Sequence, residues 1–231
     1  MSGPDESEDV AAVFARLATE LHERPGMAQT VEAGLQFALQ AIGCTHGGVV
    51  LARRGGLAGT AAVTDPVVEQ ADQLQVEHGE GPAVTAIADG ADSVYVADTR
   101  IDQRWPAWSP KAAALGLRSV LALRLHASGI TLGVLELFHT EPAGFDTDDA
   151  AVAHILARHA SIAVAVAREE ASLRQAVDAR KLVGQAQGIL MERFSVDADR
   201  AFAILRRYSQ DHNVKLRDVA QRLIDTRELP H

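Results

Sequence analysis

A single cysteine, Cys44, stands in a chain of 231 residues. One cysteine excludes an internal disulfide and a cysteine-only metal site, and a cytoplasmic location follows as the default. Aromatic side chains are scarce as well, 4% against an apolar fraction of 47%, so any core must be built mainly from Ala, Val, Leu and Ile. No run of about eighteen apolar residues is present, and no membrane span is expected. The first residues, Met1 to Asp9, are acidic, the reverse of a secretory leader. The nine histidines form no His-x-x-His pair, and none joins Cys44 at metal-ligand spacing, so neither a metal nor a cofactor is expected. The acidic cluster and spaced lysine of a phosphoacceptor site are also missing. Internal repeats and low-complexity tracts are absent.

Basic charge is short overall, but unevenly so. Residues 1–167 hold 10 Lys/Arg against 21 Asp/Glu, a net −11, whereas residues 168–231 hold 12 against 10, a net +2. An acidic body repels nucleic acid at long range. A nucleic-acid site on this chain must therefore be a local patch in its last third.

The longer, acidic part alternates helical and extended patterns. Val10, Val13, Phe14, Leu17 and Leu21 form one helical stripe, which Pro25-Gly26 ends. Val31, Leu35, Ala38, Leu39 and Ile42 form a second. Gly48–Ala52 and Gly59–Val63 read as strands around a turn at Arg53-Arg54-Gly55-Gly56. Asp65-Pro66 opens a helix, and Gly79-Glu80-Gly81-Pro82 turns into a short one. Ser93–Ala97 is a strand. Arg118–Leu125 and Ile130–Phe138 form an antiparallel hairpin around Ala127-Ser128-Gly129. Helices around a mostly antiparallel sheet give the class α+β. From Asp148 to Met191 there is no proline, so one long helix, or two nearly collinear ones, leaves this part.

The last third is organised around Ala179–Arg193. Leu182, Val183, Ala186, Ile189 and Leu190 recur at spacings of three and four, leaving Arg180, Lys181, Gln187 and Arg193 on the other side. Gly188 costs about 1 kcal/mol relative to alanine in mid-helix, which a close approach by a helix or ligand would compensate. Asp197 is a good N-cap for a helix whose buried face is Ala201, Phe202, Leu205 and Tyr208. Leu216, Val219, Ala220, Leu223 and Ile224 form a last stripe. Three short amphipathic helices close one core only as a bundle.

Arg180, Val183, Ala186–Met191, Ala201-Phe202, Leu205-Arg206, Leu216 and Val219-Ala220 fall in the order and spacing of the ANTAR domain, which this region resembles from about Leu173 to Ile224. Gln187 departs from a position often held by lysine. The resemblance implies a three-helix, RNA-binding module of transcription antitermination that takes a pair of short stem-loops in a nascent transcript. The implied contact surface is Arg180, Gln187, Gly188 and Arg206, with Lys181, Arg193, Arg207, Lys215 and Arg217 as flanking polar positions. The plain alternative for all of them is a solvated helical surface. Met191, Leu205 and Leu216 are expected mainly in the core.

The acidic part resembles a GAF domain, a cytosolic sensor module. The resemblance rests on Gly79–Pro82, Asp98, Asp102 with Arg104-Trp105-Pro106, Gly116 with Arg118-Ser119-Val120, Gly133-Val134-Leu135, and Phe145 with Asp148. Where related sequences often carry a cysteine after Gly-Pro, Ala83 stands here. The domains expected are thus a GAF sensor over 8–167 and an ANTAR bundle over 168–231. Asp98, Asp102, Arg104 and Trp105, with Arg100 and Trp108, could rim a small-molecule pocket. Equally, the aspartates could cap turns and pair with the arginines. Catalysis is not expected, because no second catalytic motif or substrate cradle accompanies the carboxylates. A methionine-sulfoxide reductase would need more than one cysteine. The runner-up function is a DNA-binding helix-turn-helix factor with a GAF sensor, against which the feeble basic charge argues. Excess apolar surface on the joining helix and on Val10–Leu21 predicts a homodimer.

Overall fold

The computed structural model describes residues 27–53 and 56–227. The Val10–Leu21 stripe, Arg54-Gly55 of the first turn and Pro230 lie outside the described residues. The chain divides into two compact units, Met1–Ala167 and Arg168–His231.

In the first unit, α1 (Met27–Ile42) leads into β1 (His46–Arg53) and β2 (Gly56–Val63). α2 (Pro66–His78) begins where the Asp65 carboxylate accepts the Val67 N–H at 2.8 Å, with proline at the first helical position. α3 (Pro82–Ala88), β3 (Ser93–Val96) and α4 (Ser109–Ala114) follow. β4 (Ser119–Ala127) and β5 (Ile130–His139) are joined by Ser128-Gly129, both at positive φ (51° and 76°). Two such residues give the turn whose twist matches an antiparallel hairpin.

The five strands pair antiparallel in the order β2-β1-β5-β4-β3. Both faces are covered, so β4 and β5 read as apolar runs rather than as an apolar–polar alternation. On one face Leu121, Leu123, Leu135 and Leu137 meet Leu35 and Ala38 of α1 and Ala153, Leu156 and Val164. On the other, Val120, Ala122, Val134 and Phe138 meet Val68 and Ala71 of α2, Ala83 and Ala86 of α3, Trp105 and Trp108. Each fully buried Leu or Phe contributes about 1.5–3 kcal/mol. This is the α+β architecture that the sequence pattern predicts.

α5 (Thr147–Phe194) is one continuous helix of 48 residues that begins in the first unit and ends in the second. The Asp146 carboxylate accepts the N–H groups of Asp148 and Asp149, both at 2.8 Å, and Asp149 accepts the Asp146 N–H at 3.0 Å. This reciprocal capping defines the helix start. One window of 18 residues in α5 has a mean hydropathy of 1.6, and the helix is long and apolar enough for a membrane span by length and composition alone, although polar side chains interrupt it. It is the one candidate span among the described residues, and it lies in the helix that joins the two domains. The helix owes this character to its sheet-covering side chains and to outward Ile155, Ile162 and Val166.

In the second unit, the end of α5, α6 (Ala198–Asp211) and α7 (Leu216–Thr226) close a small core of Ala186, Leu190, Ala201, Leu205, Val219, Ala220 and Leu223. Asp197 caps α6 by accepting the Arg200 N–H at 2.8 Å. Two expected core residues are outside. Met191 is 38% exposed and Phe202 36%. Ala186 with Leu190, and Ala201 with Leu205, set the inward line at i, i+4. The next residue along lies about 100° further round the helix, beyond what two neighbouring helices cover.

Candidate nucleic-acid interface and sensor pocket

The loop from Asp98 to Trp108 is bound to itself and to the surrounding backbone. Both Asp98 oxygens receive Arg118, at 3.2 and 2.9 Å, and Arg100 adds its N–H and its guanidinium. Hydrogen bonding from Arg118, then from the Arg100 backbone, holds the Asp98 carboxyl well below the usual carboxylate range. Asp102 accepts the Arg104 N–H at 2.9 Å and a forked contact from its guanidinium. Burial raises the Asp102 carboxyl, but these bonds outweigh it and the net shift is downward. The Arg104 guanidinium also reaches the Tyr95 carbonyl and lies 4.4 Å over the Trp105 ring. Trp105 donates to Thr85 Oγ1 and packs edge-on against buried Trp108, which donates to the Ala71 carbonyl. The Ala107 N–H closes the loop onto Glu80 of the Gly-Glu-Gly-Pro turn. Asp98, Asp102, Arg104 and Trp105 therefore lie together, each engaged with a neighbour within the loop or beside it.

A second polar group was not singled out in the sequence. Asp72 and Gln75, one turn apart on α2, meet Glu136 at the centre of β5, and all three are buried. Gln75 Nε2 donates to both Glu136 oxygens at 3.0 and 3.1 Å, while its own carbonyl oxygen accepts the Ala83 N–H at 2.8 Å. Thr60 donates to Asp72 Oδ2 at 2.8 Å, and Asp72 Oδ1 has no donor among the described residues. Asp72 and Glu136 lie close enough for their charges to interact, and a proton shared by the pair relieves that repulsion. Burial pushes Asp72 up to about 6 despite its bonds to Glu136 and Thr60. Burial and then the Asp72 charge push Glu136 well above the carboxylate range. Gly81, at φ 129°, lets the turn pass against Gln75, where any Cβ would strike the amide. Beside this network lies a cavity of about 530 Å³, lined by Leu57, Gln75, Val76, Val84 and Ile87 with Arg53. Its size and largely apolar wall suit a small organic ligand.

In the bundle, Arg180, Lys181, Arg206 and Lys215 are exposed, and their side chains make no ion pair or hydrogen bond among the described residues. Arg207 pairs with Asp211 at 3.5 Å and Arg217 with Asp218 at 3.1 Å, both on the open surface. Gln187 is half-buried, and its Nε2 donates to the Ala198 carbonyl at 3.0 Å, tying α5 to the start of α6. Arg193 donates to the Arg227 carbonyl and lies 5.6 Å from the exposed Phe194 ring. Gly188 is exposed, with no atom within 4 Å of where a Cβ would stand. It borders a hollow of about 400 Å³ with Gln185, Ile189, Glu192, Ile224 and Arg227. Packing against another helix of this chain is therefore not why glycine stands there. Though adjacent, Gln187 and Gly188 face different neighbours, the first α6 and the second the α7 side. Exposed Phe194 and Phe202 add aromatic surface, Phe202 from a position that the stripe pattern placed on a buried face.

The GAF domain family matches residues 26–165, and the ANTAR domain family matches residues 171–224. No curated protein matches the chain. Among solved structures, the GAF domain of a phosphoenolpyruvate-protein phosphotransferase from Coxiella burnetii aligns at 16% identity and TM-score 0.56, over 73% of this chain and 99% of its own. Free methionine-R-sulfoxide reductase from Neisseria meningitidis, solved with its substrate, aligns at 20% identity and TM-score 0.56, over 74% and 96%. The phytochrome photosensory core module of Stigmatella aurantiaca aligns at 10% identity and TM-score 0.58, over 90% and 46%. These likenesses establish the fold. Cys44, the one cysteine here, is buried, and burial pushes its thiol up to about 12.

Proposed function

This chain belongs to the GAF domain family and carries an ANTAR antitermination RNA-binding domain behind it, and from that premise we propose a cytoplasmic, non-enzymatic regulator that binds paired stem-loops in nascent transcripts under control of its GAF sensor. The supporting observation is the set of cations without partners. Arg180, Lys181, Arg206 and Lys215 stand exposed on a unit of net charge +2, in a chain whose other unit carries −11. Unpaired guanidinium and ammonium groups are free for phosphates and base edges, as loop recognition in RNA requires. Arg207 and Arg217 join them once their exposed pairs open, at a cost of about 0–1 kcal/mol each. Gln187 and Arg193 hold the helices in register behind this surface. The open ground at Gly188 lets a nucleotide approach the helix backbone, and Phe194 and Phe202 offer stacking faces.

Binding both stem-loops disfavours a competing terminator hairpin, a population shift between two RNA folds without covalent chemistry. The cavity beside α2 and α3 receives the signal molecule, with the Asp98–Trp108 loop as its buttress. Five large apolar side chains of α5, Ile155, Ile162, Val166, Leu173 and Val177, are exposed by 45% to 66% and support pairing with a second copy. A monomer mass by light scattering at micromolar concentration, with and without RNA, would remove the dimer.

The test is a mobility shift with hairpin RNA and matched duplex DNA over a salt series. Arg206→Ala is expected to keep the melting temperature, weaken hairpin binding and lower the salt slope by about one. Equal affinity of Arg206→Ala and Arg180→Ala with the parent at every salt concentration would move the interface elsewhere on the bundle. Tighter binding to duplex DNA than to hairpin RNA would replace the assignment with that of a DNA-binding factor.

A further inference from the structure

A second cavity, of about 470 Å³, lies on the GAF unit beside the free edge of β4. Strand β3 pairs with β4 only as far as Leu123, opposite Ser93, so the end of β4 has no strand neighbour on that side. The first turns of α5 close the gap, and Ser161 Oγ accepts the His126 N–H at 3.1 Å. The cavity wall carries Arg124, His126, His154 and Arg158, with Asp92 as its one acidic side chain. Apolar ground is supplied by Ala127, Ala157 and Ile162.

Three observations give this cavity a polarity. It gathers basic side chains on a unit whose formal charge is −11, so it is not a sample of the general surface. Arg158 is exposed and makes no ion pair among the described residues, unlike Arg100, Arg104 and Arg118, which are paired in the Asp98–Asp102 loop. Arg124 is only half used. Its Nη2 donates to Asp92 Oδ1 at 2.7 Å, while its Nε is buried with no acceptor among the described residues. The Nε–Nη2 edge of a guanidinium is a fork that binds a phosphate or carboxylate through two parallel hydrogen bonds. Asp92, with 72% of its side chain exposed, occupies one prong and leaves the other empty.

We propose that this cavity is a binding site for a small phosphorylated molecule, whose phosphate takes both prongs of Arg124 in place of Asp92 and is flanked by Arg158 and His154. The apolar wall then receives the uncharged part of the ligand. Arg158, His154 and Ser161 sit on α5, so the ligand touches the helix that continues into the RNA-binding unit. Polymeric RNA is disfavoured here, because the acidic surroundings repel a long polyanion while a small ion meets mainly the local cations.

The experiment is calorimetric titration of the full chain with inorganic pyrophosphate and, separately, with a nucleoside triphosphate and a short RNA without hairpins. Saturable binding of at least one small phosphate, near one per chain, is expected. Arg158→Gln and His154→Gln, both at exposed positions, should each weaken it about tenfold, since each removes one charge-assisted hydrogen bond to the phosphate. Asp92→Asn should strengthen it, because the competing carboxylate is gone while the side chain keeps its shape. Arg206→Ala, on the RNA-binding unit, should leave it unchanged, which separates this site from the proposed RNA interface. No saturable heat with either small phosphate overturns the proposal. So does binding that Arg158→Gln and His154→Gln leave intact, that Asp92→Asn weakens, or that only the RNA oligonucleotide shows.

Discussion

Replacing Glu136 by Gln should stabilise the GAF unit at pH 8 and remove the part of its pH dependence that Glu136 supplies. Glu136 is wholly buried in the middle strand and shares its surroundings with Asp72, Gln75 and little other polar matter. In the unfolded chain both carboxyls ionise freely near their ordinary values. In the folded chain burial pushes Asp72 from 3.8 up to about 6, and Glu136 is pushed up as well. The folded state thus holds protons that the unfolded state releases. Stability from this pair is fully present below about pH 4 and is lost as pH rises through about 6 and beyond. A shift of about two pK units, as burial gives Asp72, corresponds to roughly 3 kcal/mol, and Glu136, buried at least as deeply, carries a penalty of that order which the amide removes. Relaxation of the network takes back part of that, so about 1–3 kcal/mol is the expected gain for Glu136→Gln at pH 8. At about 2–4 °C per kcal/mol, the melting temperature should rise by between a few and about ten degrees. The amide adds a donor beside Asp72, whose Oδ1 lacks one among the described residues, and keeps a carbonyl oxygen for the Gln75 donor. Scanning calorimetry of parent and variant at several pH values between 4 and 8 makes the comparison. If the parent shows no decline over that range, and Glu136→Gln melts lower at pH 8, the two carboxyls do not share a proton.

Gly81→Ala should cost about 2–4 kcal/mol in urea unfolding, since its Cβ strikes the Gln75 amide and φ 129° is strained for alanine. A midpoint equal to the parent's would mean that the turn shifts freely. Gln187→Ala should lower bundle stability by about 1 kcal/mol, because the hydrogen bond to the Ala198 carbonyl goes with the amide. Hydrogen exchange at the start of α6 reads that change, and unaltered protection there would return Gln187 to a role at the RNA surface alone.

Much of the fold was legible because its signals are local. Asp65 before Pro66, Asp197 before Ala198, and Ser128-Gly129 between two apolar runs act within a few residues, through caps and turns that need no distant partner. Apolar spacing likewise named the inward faces of the bundle helices, down to Ala186, Leu190, Ala201, Leu205 and Leu223. What spacing could not set was how wide each buried face would be. Met191 and Phe202 border the stripes, and only the positions of the neighbouring helices left them in solvent. The Asp98–Trp108 loop was legible as a cluster, and local pairing such as Asp102 with Arg104 was one of its two readings. Its binding by Arg118, the residue before β4, required the sheet to form. Glu136 was hidden most completely. On the chain it is one acid within an apolar strand, 61 residues from Gln75. The tertiary structure alone brings it under α2 beside Asp72, because β5 is central and covered on both faces, and a carboxyl there meets whatever polar group the covering helix supplies. Periodicity determines which side of an element turns inward, and packing decides what it finds there.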